Sequence, residues 1–351
     1  VSRPFPTVRF MFSRPLWIVQ FTTSRPATVC YALSGKQLQT AVAYSFRFAI
    51  DFYSAIKYTI ILGFYCTGVK EMIKNETEQV LLIQDIAGYG KISLGVMIPI
   101  LSHMGFNLYN LPTAVVSNTL DYGIFEMLET TDYMKNALKV WKRLGFSFDA
   151  ICTGMIISEE QVKLVAEYCR EQREKGTHIF VDPVMGDDGK LYNGISDNTV
   201  VYMRQICSVA DIIMPNFTEA VFLADMLQDR KEVTREEAEK IVDALRNLGS
   251  KSVVVTSVLM DGQNCVFGYD NGKKEYFKIP FDCVPVQFPG TGDIFSSLLV
   301  GGVLKGIGLQ ETTKFAMDMV RNLILKNKEN VDKYKGIPIE KYLDEITDFK
   351  R

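Results

Sequence analysis

Histidine is nearly missing from this chain. Only His103 and His178 occur in 351 residues, far apart and with no cysteine or second histidine beside them. That argues against a His-rich metal site and against a Ser-His-Asp hydrolase, and no G-x-S-x-G run is present either. The seven cysteines are odd in number and scattered, with no C-x-x-C pair. With no secretory signal recognisable, they read as reduced thiols of a cytoplasmic protein. Net charge is lacking too: −2 overall argues against a broad nucleic-acid surface. No long apolar run is free of charge, because Arg47, Asp51 and Lys57 interrupt the stretch from Ala41 to Cys66, so no membrane anchor is expected. What the chain does have is 47% hydrophobic and 23% charged residues, enough for a large core in one or two domains.

Acidic residues are scarce only at the start. Residues 1–71 hold eight basic residues against Asp51 and Glu71, a net +6, and the remainder is net −8. This segment is rich in Phe and Tyr, with no sustained alternation or helical stripe before about Ala41. A transit peptide fits its Arg-rich, acid-poor character, although the bulky aromatics do not. Val1 is not Met, and Met72 stands just before the first convincing strand. The expectation is an atypical extension over 1–71, disordered or translated from too far upstream, and dispensable to a domain over 72–351.

From Val80 the pattern becomes regular. Short apolar runs at Val80–Gln84, Ala150–Cys152, His178–Val181, Ile212–Met214 and Val253–Val255 predict buried parallel strands. Helices are expected over Ser93–Met104, Tyr133–Leu144, Glu159–Lys175, Thr218–Leu227 and Arg235–Leu248. Asn264–Tyr269 and Glu275–Ile279, joined through Asp270-Asn271-Gly272, predict a hairpin. Strand–helix alternation of this kind means a parallel sheet with helices on both faces.

The richest stretch is Phe288-Pro289-Gly290-Thr291-Gly292-Asp293, running into the apolar Ile294–Leu299. Two glycines permit a tight turn whose amides point one way, at the positive end of a helix. Asp293 would repel a phosphate there, which suggests a second task such as accepting a proton from an attacking hydroxyl. The plain alternative is a capping aspartate. In open α/β sheets ligands sit beyond the C-terminal strand ends. Asp85, Thr153-Gly154, Asp182, Asn216 with Glu219, and Thr256-Ser257 therefore form the candidate set. Oxygen donors without histidine suit Mg²⁺ shared with nucleotide phosphates. Asp182-Pro183 is equally a good turn, and Asn216 a good N-cap. Gly88-Tyr89-Gly90-Lys91 is neither a P-loop, since Ile92 follows the lysine, nor a dinucleotide fingerprint, since Ser93 stands where its third glycine belongs.

Gly290–Asp293, Asp182-Pro183-Val184-Met185-Gly186-Asp187 and Pro215-Asn216-Phe217-Thr218-Glu219 resemble, in that superfamily's chain order, the motifs of the ribokinase-like superfamily. With Ile83-Gln84-Asp85 through Ser117-Asn118, the chain over about 80–330 looks most like the pyridoxal kinases. The resemblance implies a three-layer αβα sandwich with a mostly parallel sheet. It also implies ATP-dependent phosphorylation of the 5′-hydroxymethyl group of pyridoxal, pyridoxamine or pyridoxine, and a homodimer. Asp293 would be the general base, and Gly290, Thr291 and Gly292 the anion hole. Asp182, Asp187 and Glu219 would organise Mg²⁺ and a monovalent cation such as K⁺. Asn216, Thr256 and Ser257 would contact nucleotide phosphates, Asp187–Tyr192 would form a flap over ATP, and Asp85 and Ser117 would hold the ring. Three positions depart from the pattern: Asp85 replaces a ring-contacting serine, Met155 a frequent aromatic, and Met214 a frequent threonine. Hydroxymethylpyrimidine kinase on the same fold is the nearest rival. A silent vitamer-binding protein is the other, although it would not need Asp293 beside an intact Gly-Thr-Gly.

Overall fold

The computed structural model describes residues 77–346 except 193, 194 and 197, together with the backbone of three strands nearer the N-terminus. The chain divides into two units, Val1–Glu76 and Thr77–Arg351. In the first, β1 (Thr7–Ser13), β2 (Leu16–Thr22) and β3 (Thr28–Leu33) form an antiparallel sheet in that order. The sequence shows no sustained alternation there, yet each strand is dense in β-branched and aromatic residues, which favour extended backbone. An eleven-residue recurrence of Ser-Arg-Pro, at 2–4, 13–15 and 24–26, punctuates them and is the signal the alternation test overlooks. The apolar run from Ala41 to Cys66 and the start at Met72 lie outside the described residues.

The second unit runs β4 (Gln79–Ala87), α1 (Leu94–His103), β5 (Asn107–Val116), β6 (Met127–Glu129), α2 (Thr131–Leu144), β7 (Ala150–Thr153) and α3 (Glu159–Arg173). It continues with β8 (His178–Val181), the two-residue β9 (Gly186–Asp187) and β10 (Lys190–Leu191), α4 (Asn198–Cys207), β11 (Ile212–Ile213), α5 (Phe217–Ala224) and α6 (Arg235–Asn247). It ends with β12 (Ser252–Met260), β13 (Gln263–Asp270), β14 (Glu275–Pro280), α7 (Thr291–Leu304), α8 (Leu309–Asn327) and the short α9 (Leu343–Ile346).

Nine strands pair in the order β14-β13-β12-β11-β8-β7-β4-β5-β6. The six from β12 to β5 are parallel, and β13, β14 and β6 are antiparallel additions at the edges. Alternation in the buried strands decides the layers, because successive side chains leave opposite faces. Leu81, Ile83, Ile151, Ile179, Val181 and Val253 join one core, with residues of α2 to α6. Val80, Leu82, Cys152, Phe180 and Val254 join the other, with residues of α1, α7 and α8. This is the expected three-layer αβα sandwich. Chain order reverses at β4, which lies between β5 and β7. The crevice beyond that switch is where such sheets place ligands.

The predicted strands and helices recur with ends moved by up to three residues, apart from two extensions in β4 and β12. The first strand runs on past the Val80–Gln84 run through Asp85 to Ala87, and Thr256-Ser257 lie inside β12 rather than after it. Both extensions cross a register irregularity, Gln84/Ile86 against β5 and Val255/Val258 against β13. β5 itself escaped notice because Pro112 and two asparagines obscure its pattern. Pro112 pairs with Gln84 where the register shifts, a place that tolerates a residue without N–H. The 263–280 hairpin forms, and a second one turns at Asp261-Gly262, both with positive φ as a type I′ loop demands.

Candidate active site

The site grows from the first turn of α7. Gly290 is its N-cap, in left-handed backbone at φ 84°, with no side chain capping the helix. A Cβ on Gly290 would lie 2.1 Å from the Lys91 carbonyl oxygen, so only glycine allows the turn to pack against the loop before α1. The first amides of the helix have no helical carbonyl to bond, and with the helix dipole they favour an anion. Gly292 is exposed, and a Cβ there would meet nothing within 4 Å.

Asp293 does not cap. Its Oδ1 accepts from Gln84 Nε2 at 2.6 Å and its Oδ2 from the Ser93 backbone N–H at 2.7 Å. Burial raises its pKa to about 6, against the lowering effect of these two donors. One helical turn on, Ser296 Oγ donates to Asp182 Oδ2 at 2.6 Å. Burial, and next the charge of Asp293, hold Asp182 well above the usual carboxylate range, although the Ser296 bond pulls the other way. Asp85 is 2% exposed, with the Ser93 side chain near enough to pull its pKa down. Burial foremost, with Asp293 adding to it, pushes its pKa up to about 7. Ser93 thus stands beside two acids, its side chain near Asp85 and its amide bonded to Asp293. It does so with a positive φ of 51°, uncommon for a residue with a side chain.

A second group forms around the start of α5. Asn216 and Glu219 make a reciprocal capping box: Asn216 Oδ1 accepts from Glu219 N at 3.0 Å and Glu219 Oε2 from Asn216 N at 2.9 Å. Asn216 Nδ2 also donates to the Gly186 carbonyl at 2.7 Å, and Glu219 Oε1 accepts from Met185 N at 3.0 Å. The capping alternative for Asn216 is therefore realised, and its amide is already engaged. β9 and β10 form a tiny ribbon turning at Asp188-Gly189, both with positive φ, and Gly189 N donates to Thr218 Oγ1 at 2.9 Å. This ribbon carries Asp187, whose Oδ1 accepts from Asp188 N at 2.8 Å, and leads to Tyr192. Burial, then the charges of Glu219, Asp187, Asp182 and Asp293, raise the Tyr192 phenol, so its ring stands in the field of both groups. Thr256 bridges to Asn216, its N–H bonded to the Pro215 carbonyl at 3.0 Å, and exposed Ser257 follows at φ 58°. Ser117 is exposed, donates to Asn118 Oδ1 at 2.6 Å and accepts from Glu126 N at 2.9 Å.

Among the described residues no group of three or more His, Cys, Asp or Glu side chains is placed to hold a metal by itself, and Glu219 already accepts from backbone amides with both oxygens. Mg²⁺ still fits as an ion carried by phosphates, which needs only one or two protein carboxylates. Burial and neighbouring carboxylates hold Asp182 and Glu219 above their ordinary range, and a cation would relieve that repulsion. Gln84, Ser93 and Ser296 were not singled out from sequence. Gln84 alone left a trace, an amide closing an otherwise apolar strand run.

The fold is that of the ribokinase-like α/β kinases. The phosphomethylpyrimidine kinase family model matches residues 104–338, and the chain belongs to that family. A Bacteroides thetaiotaomicron protein described as a phosphomethylpyrimidine kinase and crystallised with pyridoxal is 33% identical. It has a TM-score of 0.73, covering 77% of this chain and 96% of its own. Pyridoxal kinase of Dictyostelium discoideum is 26% identical over 75% of this chain and 90% of its own length. A Leishmania donovani pyridoxal kinase with ADP and pyridoxamine, 23% identical, shares the fold at a TM-score of 0.68 over 77% of this chain and 96% of its own. Among the described residues no helix is long and apolar enough to cross a membrane, and Cys152, Cys169, Cys207, Cys265 and Cys283 are free thiols.

Proposed function

We propose that this chain transfers the γ-phosphoryl group of ATP to the 5′-hydroxymethyl oxygen of a pyridoxal-type vitamer. The observation that carries the reading is Asp293: a carboxylate in the first turn of α7, beside a glycine-built amide turn, held by two donors instead of capping its helix. A primary alcohol is a weak nucleophile at neutral pH, and Asp293 would take its proton late in the transfer, worth about 10²–10⁴-fold. The amides after Gly290 would stabilise charge on the transferring group, whose loose transition state depends on alignment and electrostatics. Asp182 and Asp187 would hold phosphate-borne Mg²⁺, which when bound supplies further neutralisation of that charge. Glu219 would act behind them by fixing the Met185–Gly186 backbone. Asn216, Thr256 and Ser257 border the nucleotide in this reading, the β9–β10 ribbon with Tyr192 covers it, and Asp85 and Ser117 face the ring. A monovalent cation such as K⁺, a homodimer and a cytoplasmic location belong to the same proposal.

A second reading keeps the chemistry and changes the acceptor to hydroxymethylpyrimidine. It is favoured by the family model itself. The test is turnover of ATP and Mg²⁺ by purified protein, with pyridoxal, pyridoxamine, pyridoxine and hydroxymethylpyrimidine in competition. A 5′-phosphorylated vitamer is the expected product. Selective use of the pyrimidine would move the assignment to the second reading, and no transfer to any of the four would overturn both.

A further inference from the structure

We propose that Gln84 is a positioning residue for Asp293: its amide and the Ser93 backbone N–H grip the carboxylate from two elements and fix the oxygen that faces the substrate hydroxyl. This rests on Asp293 being the base. A carboxylate on its own turns freely about its last bond, and a general base has to meet its proton within hydrogen-bond reach. Here one donor comes from β4 and lies 2.6 Å from Oδ1, and the other precedes α1 and lies 2.7 Å from Oδ2. With each oxygen held by one donor, the plane of the group is set while lone pairs remain for a substrate proton.

Three features argue that the arrangement is built for this contact. Gln84 is 2% exposed, and a buried amide is unfavourable unless bonded, so an apolar residue would serve the strand better if packing were the only demand. Gly154, at the end of the neighbouring β7, is what lets the side chain lie there: a Cβ on it would stand 2.4 Å from Gln84 Cδ. The Ser93 amide is aimed by a chain of close contacts. The Lys91 carbonyl occupies the space left by the missing side chains of Gly290 and Gly336, 2.1 and 2.6 Å from where their Cβ atoms would be. Lys91 N is also bonded to the Lys335 carbonyl at 2.8 Å. The segment after α8 therefore straps down the loop that presents Ser93.

The experiment compares Gln84→Met, of similar length without a donor, and Gln84→Glu, of the same shape with a repelling charge, with Asp293→Asn as reference. kcat and KM are followed across pH, with nucleotide Kd and Tm measured alongside. Gln84→Met should lower kcat by about tenfold or more and leave nucleotide Kd unchanged. The acid limb of kcat/KM should move to higher pH, because a donor to the ionised carboxylate is gone, and Gln84→Glu should move it further. Asp85, Asp182 and Tyr192, the other titratable groups facing Asp293, are unaltered in every variant. A Gln84→Met enzyme with the native acid limb and kcat, or one that loses only Tm, overturns the positioning role while Asp293→Asn remains inactive. If Gln84→Met does not fold, Gln84→Glu decides by the same readouts. Full activity in Asp293→Asn would overturn the base itself, and this inference with it.

Discussion

Replacing Gly290 with alanine tests how tightly the site depends on one missing methyl group. The new Cβ would sit 2.1 Å from the Lys91 carbonyl oxygen and 3.1 Å from its carbon, so about 1 Å of backbone movement is needed to restore contact distance. Lys91 cannot simply retreat, since its N–H is bonded to the Lys335 carbonyl and Gly336 packs on its oxygen. The φ of 84° adds a left-handed penalty of about 1–2 kcal/mol for a residue with a side chain. Together, strain and clash should destabilise by about 2–4 kcal/mol, a Tm drop of roughly 3–7 °C for a domain this long. The displacement reaches Ser93 two residues later, whose N–H is 2.7 Å from Asp293. Misplacement of about 1 Å at a reacting group costs on the order of 10²-fold in rate. Thermal melting and ATP turnover by the same preparation measure both. Gly292→Ala is the control: its Cβ meets nothing within 4 Å, so Tm should hold or rise slightly, and any loss of kcat would reflect what approaches from outside. A Gly290→Ala enzyme with native Tm and kcat would refute the reasoning.

Asp293→Asn should lower kcat by at least about 10²-fold with nucleotide affinity nearly unchanged, measured by steady-state kinetics and calorimetric titration. Activity should fall as pH drops below about 6, where Asp293 takes up its proton. Stability runs the other way. Asp293 and Asp85 titrate at about 6 and about 7 when folded, above an unfolded value near 3.9. The folded state therefore holds protons the unfolded state has released, and the ligand-free protein loses stability as pH rises from about 4 through 7. Melting scans at several pH values should show this, and Asp85→Asn should flatten the trend. Deleting residues 1–71 should leave turnover and the melting of the kinase unit essentially intact, because every site residue lies between Gln84 and Ser296. Aggregation or early melting of the shortened chain would contradict that.

Amino-acid order alone determined the layers and the turn chemistry. Short apolar runs, charged amphipathic stretches and the Asp270-Asn271-Gly272 turn are local or periodic signals, so β4, β7, β8, α3 and the 263–280 hairpin were legible. Gly290-Thr291-Gly292-Asp293 was legible as a tight turn into a helix for the same reason, since glycine pairs and a helix start are neighbours in sequence. Whether Asp293 caps its own helix was undecidable at that level. The partners that take its carboxylate instead, Gln84 and Ser93, lie 209 and 200 residues away. Tertiary structure also resolved Asn216 and Glu219, which close a capping box and bond onward to Gly186 and Met185. The register shifts at Asp85 and at Thr256-Ser257 were invisible as well, because a register shift belongs to a pair of strands, and no single strand encodes it.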